Sequence, residues 1–521
     1  AVISPRTFDR SELAFEVIRV RANERHTYLL SLLKGLINYQ PGQVMNDVPS
    51  GLIFTYFVND SQLGVSQLKK VLLNAVPEMT GKIEIYSGRK PKSFVGQDVD
   101  WELKKIELQQ KFKRDEVPIM VCTHSFGMGI DKPNVRFTIH AMLPRSLEEF
   151  YQQAGRAGRD GEGSRCFIIF VDDQPKLADE ILDPLKVPIE KTDTLVRGVS
   201  RVQQGDILRN IWFLRNSFLG KNDDKRIVDS LWEHLQKYLP VREGDRNSVE
   251  VPFNFLQARS ITELDSFEQA QQALEKAIYR LLAVGAIEDY EKDYSKGVFV
   301  VYLTRHSVQG LSDRFKKYLS RYATEGEVKK YLPEVSEDYV EAVKTYAHRM
   351  VDFVYDHIER RRRRAMWEML QAARDPVKFR EQLMAYLEES QFTKPIKELT
   401  KRVVPEEWFR LIDQAEGVDG LVKLFGACRR QLEEFPEHPG LLLLTGFCRL
   451  HYGDESLRDI GNAFTVLRES YPKIDRQEVA RSLLERIKTR FPGVLDKVLL
   501  VILGSDSSLE MVRFCYSEAP S

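Results

Sequence analysis

Cysteine is scarce: the 521 residues hold only Cys122, Cys166, Cys428, Cys448 and Cys515, with no CxxC pair. That spacing excludes a disulfide framework and a four-thiolate zinc site. The expectation is reduced core thiols in a cytoplasmic protein. Net charge is missing too, since Lys+Arg and Asp+Glu are both 77. Steering by overall charge is excluded, so any nucleic-acid surface must be a local patch. No apolar run is long enough to read as a membrane span. A signal-peptide pattern and an initiator Met are both lacking at Ala1, so a chain that enters mid-protein is the expectation.

A further absence concerns phosphate chemistry. The glycine-rich cradle G-x-x-x-x-G-K-[ST] does not occur. Gly81-Lys82 and Gly220-Lys221 lack both the preceding glycine and the following Ser or Thr. There is no Asp-Glu-x-His box either. A P-loop enzyme needs that lysine and a Mg²⁺-holding carboxylate to neutralise a triphosphate.

What is present is an ordinary globular composition, 43% hydrophobic and 30% charged, long enough for roughly three or four domains. Strand patterns at Leu13–Ile18, Gly51–Phe57, Ile83–Tyr86 and Ile119–Thr123 alternate with helical spacing at 23–39, 61–75 and 101–113. This alternation predicts a parallel α/β sheet, whose ligands bind at the carboxyl ends of strands. Ser87, Thr123 and the Gly127 turn follow such ends. Beyond Pro175 the patterns become helical. Phe267–Val284 is amphipathic, and Gly285–Leu303 reads as a hairpin with a turn at Lys292–Gly297. From Leu311 almost every apolar pattern is helical, with one long helix expected over Asp338–Arg374. Five consecutive arginines, Arg360–Arg364, lie within it. Consecutive helical residues point in all directions. A solvated or ion-paired helix is therefore favoured over a nucleic-acid arm.

The most specific stretch runs from Val121 to Phe170. An apolar strand leads into Gly127 and Gly129, and a helix follows with Gln152-x-x-Gly155-Arg156-x-Gly158-Arg159-Asp160-Gly161. Two arginines three apart leave nearly one helix face, each a planar fork suited to phosphate oxygens. A glycine before each is expected to let a nucleotide or another domain approach. Here a family can be named. Phe126–Arg136 resembles motif V, and Gln152–Gly161 motif VI, of the RecQ family of superfamily 2 DNA helicases. Phe8-Asp9-Arg10 resembles the segment where the first RecA-like lobe of that family hands over to the second.

The resemblance implies a RecA-like parallel-sheet lobe at 1–175, a helical linker at 176–250, a winged-helix-like module at 251–306 and an all-α C-terminal domain at 307–521. The linker has no cysteine where many members carry a zinc module, so no metal is expected. The implied activity is ATP-dependent DNA unwinding, with ATP and Mg²⁺ held mainly by a P-loop lobe absent from this sequence. A non-catalytic adaptor built on a degenerate lobe is the alternative. In the implied roles Arg159 is the finger that reaches the γ-phosphate, Arg156 orients it, and Gln152 couples the nucleotide and DNA sites. Gly129 and Asp131 would approach ribose and phosphate. Ser87, Arg89, Thr123 and Ser125 would hold one DNA strand, and Lys292 and Lys296 would reach its backbone from the wing. Implied partners are DNA (single-stranded or a duplex junction), the first lobe of the same protein, and a protein docking on the helical tail.

Overall fold

In a computed structural model the described residues are 9–127, 131–259, 266–323, 325–453 and 457–518. They form two compact units. The first comprises 1–187, 192–211 and 365–388, and the second 188–191, 212–364 and 389–521. Part of the expected helical tail, 365–388, thus belongs to the first unit.

The first unit is built on six parallel strands in the order β1-β6-β5-β2-β4-β3. Their ranges are β1 Leu13–Val20, β2 Ser50–Phe54, β3 Ile83–Tyr86, β4 Ile119–Cys122, β5 Val135–His140 and β6 Ser164–Val171. Four helices alternate with them: α1 Arg25–Leu36, α2 Val65–Ala75, α3 Trp101–Lys113 and α4 Leu147–Ala154. The middle strands are apolar almost throughout, as strands covered on both faces must be. Ile53, Val121, Ile139 and Phe167 share a core with Leu29, Leu33, Leu68 and Leu72 from α1 and α2. Helix α2 starts four residues later than its apolar spacing suggests, at Val65. Asp60 instead folds the entry turn, accepting from the Gln62 and Leu63 amides at 2.8 Å each. Strand β5, which periodicity did not single out, lies near the middle of the sheet.

Two long-range ties shape this unit. Asp206 is fully buried. It accepts from the Leu143 and Val171 amides at 2.8 and 3.1 Å and pairs with Arg25. Arg380, on helix Phe379–Leu387, donates to the Leu13 and Arg10 carbonyls at 2.6 and 3.0 Å and lies over the Phe15 ring.

In the second unit three antiparallel strands pair in the order β7-β9-β8: β7 Arg246–Pro252, β8 Ile287–Asp293, β9 Val298–Thr304. Helix Phe267–Val284 has the expected bounds. Ser266 caps it by accepting from the Gln269 amide, and Gly285 ends it at φ +96°, a left-handed conformation suited to glycine. The remaining described residues of this unit are mostly helical. The long helix expected at 338–374 is interrupted by a π-helical turn, Val354–Glu359, between helices Tyr339–Phe353 and Arg360–Arg374. The arginine run is an ion-paired element. Arg363 is completely buried against Glu359, Arg364 is buried against Asp459, and Arg360 pairs with Glu437. No helix among the described residues is long and apolar enough to cross a membrane.

Candidate functional site

Parallel strands put all their carboxyl ends on one edge of the sheet, and the expected residues divide between its two edges. Ser87 follows β3 and Thr123 follows β4, so both stand at the carboxyl edge. The Thr123 and Ser125 hydroxyls are 2.8 Å apart. A Cβ on Gly88 would meet Ser125 Cβ and Oγ at 3.5 Å, so the two loops lie side by side. Arg89 is exposed on this edge. Ser87 is a correction to the expected phosphate contact. It is fully buried, its hydroxyl donates to the Arg89 carbonyl at 2.6 Å, and its own carbonyl accepts from Trp101 Nε1 at 3.0 Å. Its hydroxyl is spent on shaping the loop. Tyr56, just after β2, accepts from the Arg145 amide at 3.1 Å and lies beneath the Arg145 guanidinium.

The paired arginines are at the opposite, amino edge. Helix α4 begins at its cap, Ser146, which accepts from the Glu149 amide. It runs back along the sheet and delivers the loop 155–163 to the start of β5, where the Gly158 amide donates to the Val135 carbonyl at 3.0 Å. Asp131 reaches the same place from the other side. Its Oδ1 accepts from Arg159 Nη1 at 2.8 Å, which joins two of the expected nucleotide contacts. Arg156 is half-buried, and burial, followed by the Arg159 charge, lowers its pKa. Gln152 is exposed near the end of α4. Gly129 lies outside the described residues.

Arg10 organises this loop, a role that sequence reading missed although Phe8-Asp9-Arg10 stood out. Its guanidinium donates to the Gly155 carbonyl at 2.8 Å, Ala157 at 3.0 Å and Gly158 at 2.8 Å, and its Nε donates to Glu12 at 2.6 Å. The Gly158 turn therefore has an internal purpose as well. Gly158 turns at φ +61°, where an added Cβ would crowd the Glu162 carbonyl, Glu12 and Ser164. A Cβ on Gly155 would come within 3.0 Å of the Tyr151 carbonyl oxygen.

The described lysines of the β8–β9 hairpin are engaged within their own unit. Lys292 pairs with Glu275 at 2.8 Å and Lys296 with Glu250 at 2.7 Å.

Comparison with known proteins bears on the first unit. Residues 102–161 match the helicase conserved C-terminal domain. ATP-dependent DNA helicase RecQ of Bacillus subtilis is 55% identical over 64 residues, 12% of this chain and 11% of that protein. Over this stretch the chain is similar to the C-terminal lobe of RecQ-like helicases. Probable ATP-dependent DNA helicase RecS of Bacillus subtilis is 34% identical to it over 102 residues, 20% of this chain and 21% of that protein. A DEAD box protein from the hyperthermophile Methanococcus jannaschii covers 32% of this chain and 38% of its own, at 21% identity and TM-score 0.24. The aligned segments thus span a tenth to a fifth of the curated relatives' lengths. The match to the helicase conserved C-terminal domain, residues 102–161, includes Asp131, Arg156 and Arg159.

Proposed function

We propose that the RecQ-like lobe is one half of an ATP-dependent DNA helicase, acting with a P-loop half outside these 521 residues. The observation that carries this reading is the Arg159–Asp131 contact on a loop held by Arg10. Two guanidiniums at one sheet edge fit the anionic edge of a triphosphate. The sequence supplies no P-loop lysine or Asp-Glu-x-His box, so ATP and Mg²⁺ would be held mainly by the other half. When bound there, the nucleotide supplies the phosphoryl bond whose cleavage drives movement.

Arg159 exchanges Asp131 for the γ-phosphate when the two halves close. Its side chain is 37% exposed and that of Asp131 84%. An ion pair so exposed holds its partners by only about 0–1 kcal/mol, so the exchange is cheap. Arg156, half-buried beside it, keeps a fixed positive charge at the loop. DNA phosphates meet the carboxyl edge at Ser125 and Arg89, while the expected Thr123, only 3% exposed, serves through its hydroxyl 2.8 Å from that of Ser125; such contacts position the strand without reading its sequence. The connection from β4 to β5 begins at the Thr123 hydroxyl and ends near Asp131. One segment therefore links the strand-holding edge to the nucleotide edge. The three-stranded sheet and helix Phe267–Val284 are read as a winged helix, a second DNA contact.

A steady-state ATPase assay tests this reading, with the chain alone and with a P-loop half joined to it, each with and without single-stranded DNA. DNA-stimulated hydrolysis is expected only in the joined form. Hydrolysis by the chain alone, abolished by Arg159→Ala, would show a nucleotide site of a different kind. No hydrolysis in either form would favour the adaptor reading.

A further inference from the structure

A buried cluster in the second unit has no part in the helicase reading. His357 sits in the π-helical turn Val354–Glu359 and is 2% exposed. Insertions of this kind widen a helix locally and recur at functional sites. The imidazole stacks on Phe353, with centroids 4.3 Å apart and planes at 28°, and Tyr331 meets it edge-on at 5.8 Å. The ring is thus fixed in orientation. Neither of its nitrogens has a hydrogen-bond partner. A buried polar group left this way calls for an explanation, and an absent ion is one of the recognised ones.

Two carboxylates converge on the ring. Glu327, 3% exposed, comes from helix Glu325–Tyr331. Glu437, 8% exposed, comes from the turn before helix Pro439–Arg449. One ligand atom from each of the three side chains lies within 4.8 Å of the others. Ligand bonds of about 2.0–2.2 Å can be reached from there by small side-chain movements. Surrounding groups hold the shell in place. Arg360 pairs with Glu437, and the neighbouring Asp356 accepts from Lys221 at 2.8 Å and from the Tyr331 hydroxyl at 2.7 Å. Such outer partners orient ligands in metal sites.

We propose that Glu327, His357 and Glu437 bind one divalent transition-metal ion, with Zn²⁺ the best match. One imidazole and two carboxylates suit Zn²⁺ or Mn²⁺ better than Cu⁺, which prefers thiolates, or Ca²⁺, which takes oxygen ligands alone. The expectation of no metal rested on missing cysteines, and this site needs none. Its ligands come from three separate stretches of chain, so the ion would tie those stretches together.

The full chain, stripped with chelator and dialysed, is incubated with Zn²⁺, and bound metal is counted by elemental analysis. Co²⁺ absorbance reports the ligand field. About one Zn²⁺ per chain is expected, with a rise in the thermal midpoint on binding. Affinity should fall roughly tenfold or more in Glu327→Gln and in His357→Phe. Glu327→Gln is nearly isosteric, and His357→Phe keeps a ring against Phe353. Should His357→Phe fail to fold by circular dichroism, Glu327→Gln decides alone. No stoichiometric uptake of Zn²⁺, Mn²⁺ or Co²⁺ by the folded wild-type chain overturns the proposal. So does uptake that persists unchanged in folded Glu327→Gln.

Discussion

Arg159 donates to Asp131 across 2.8 Å at the amino edge of the sheet, and both side chains remain substantially exposed. The pair joins the segment before β5 to the loop after α4, both within the stretch that matches the helicase conserved C-terminal domain. On the proposed reading, in the chain joined to a P-loop half, Arg159→Ala should lower hydrolysis about 10³-fold or more while ATP binding survives, because a finger arginine would act mainly on transition-state charge. Asp131→Asn should leave stability within about 1 kcal/mol of wild type, as an exposed pair contributes little. Single-turnover ATP cleavage with a nucleotide-binding titration checks the first, and thermal melts the second. Hydrolysis within a few-fold of wild type in Arg159→Ala would remove the finger role.

Arg10 makes the loop that carries both arginines a defined structure. Its three donations to carbonyls are lost together in Arg10→Ala, at a cost of roughly 2–4 kcal/mol of local stability. Amides of 155–161 should then exchange hydrogen faster, while those of β2 and β4 keep their protection. Arg10→Lys should not restore the loop, since a point charge cannot span three carbonyls as a planar fork does. Unchanged exchange in Arg10→Ala would show that the loop holds itself.

On the proposed reading of the hairpin as a DNA contact, phosphates would have to compete with carboxylates. Lys292 is bound to Glu275 and Lys296 to Glu250, so each lysine must first leave a protein partner before it reaches a phosphate. Changing both lysines to Ala should weaken duplex binding evenly across sequences and reduce the salt slope by about 0.9 for each phosphate that is no longer neutralised. Glu250→Gln should strengthen binding by releasing Lys296. A salt slope unchanged in the double variant would take the hairpin off the DNA surface.

Acid should destabilise the first unit through His140. Burial lowers its pKa from the usual 6.5 to about 4, with the ring against Phe54 and Nδ1 at 3.1 Å from the Phe167 carbonyl. Above pH 6.5 the ring is neutral folded or unfolded. As pH falls from 6.5 to 4 the unfolded chain takes up a proton that the folded one refuses, so stability drops, by roughly 3 kcal/mol at most. Below 4 both forms are protonated and this loss stops growing. Thermal melts of wild type and His140→Gln across this window check it. Equal acid sensitivity in the two would assign the loss to other groups.

The sequence by itself determined most of the alternating strands and helices, the amphipathic helix Phe267–Val284, and the Gln152–Gly161 signature. Each of these is a local signal: apolar spacing, a cap, a turn residue, or a motif a few residues long. Only the tertiary structure decided which of them meet. Arg10 and Gly155 are 145 positions apart, and no periodicity records that one guanidinium spans the other's loop. Helix Phe379–Leu387 reads like its helical neighbours in sequence, yet Arg380 binds the Arg10 and Leu13 carbonyls and places it in the first unit. A run of arginines reads equally as solvated or ion-paired until the fold supplies Glu359, Glu437 and Asp459. Ser87 looks like a strand-end ligand until burial commits its hydroxyl to Arg89. In each case the local pattern is set by neighbours a few residues away. A side chain's partners depend on which distant carbonyl or carboxylate the packed chain brings within hydrogen-bond reach.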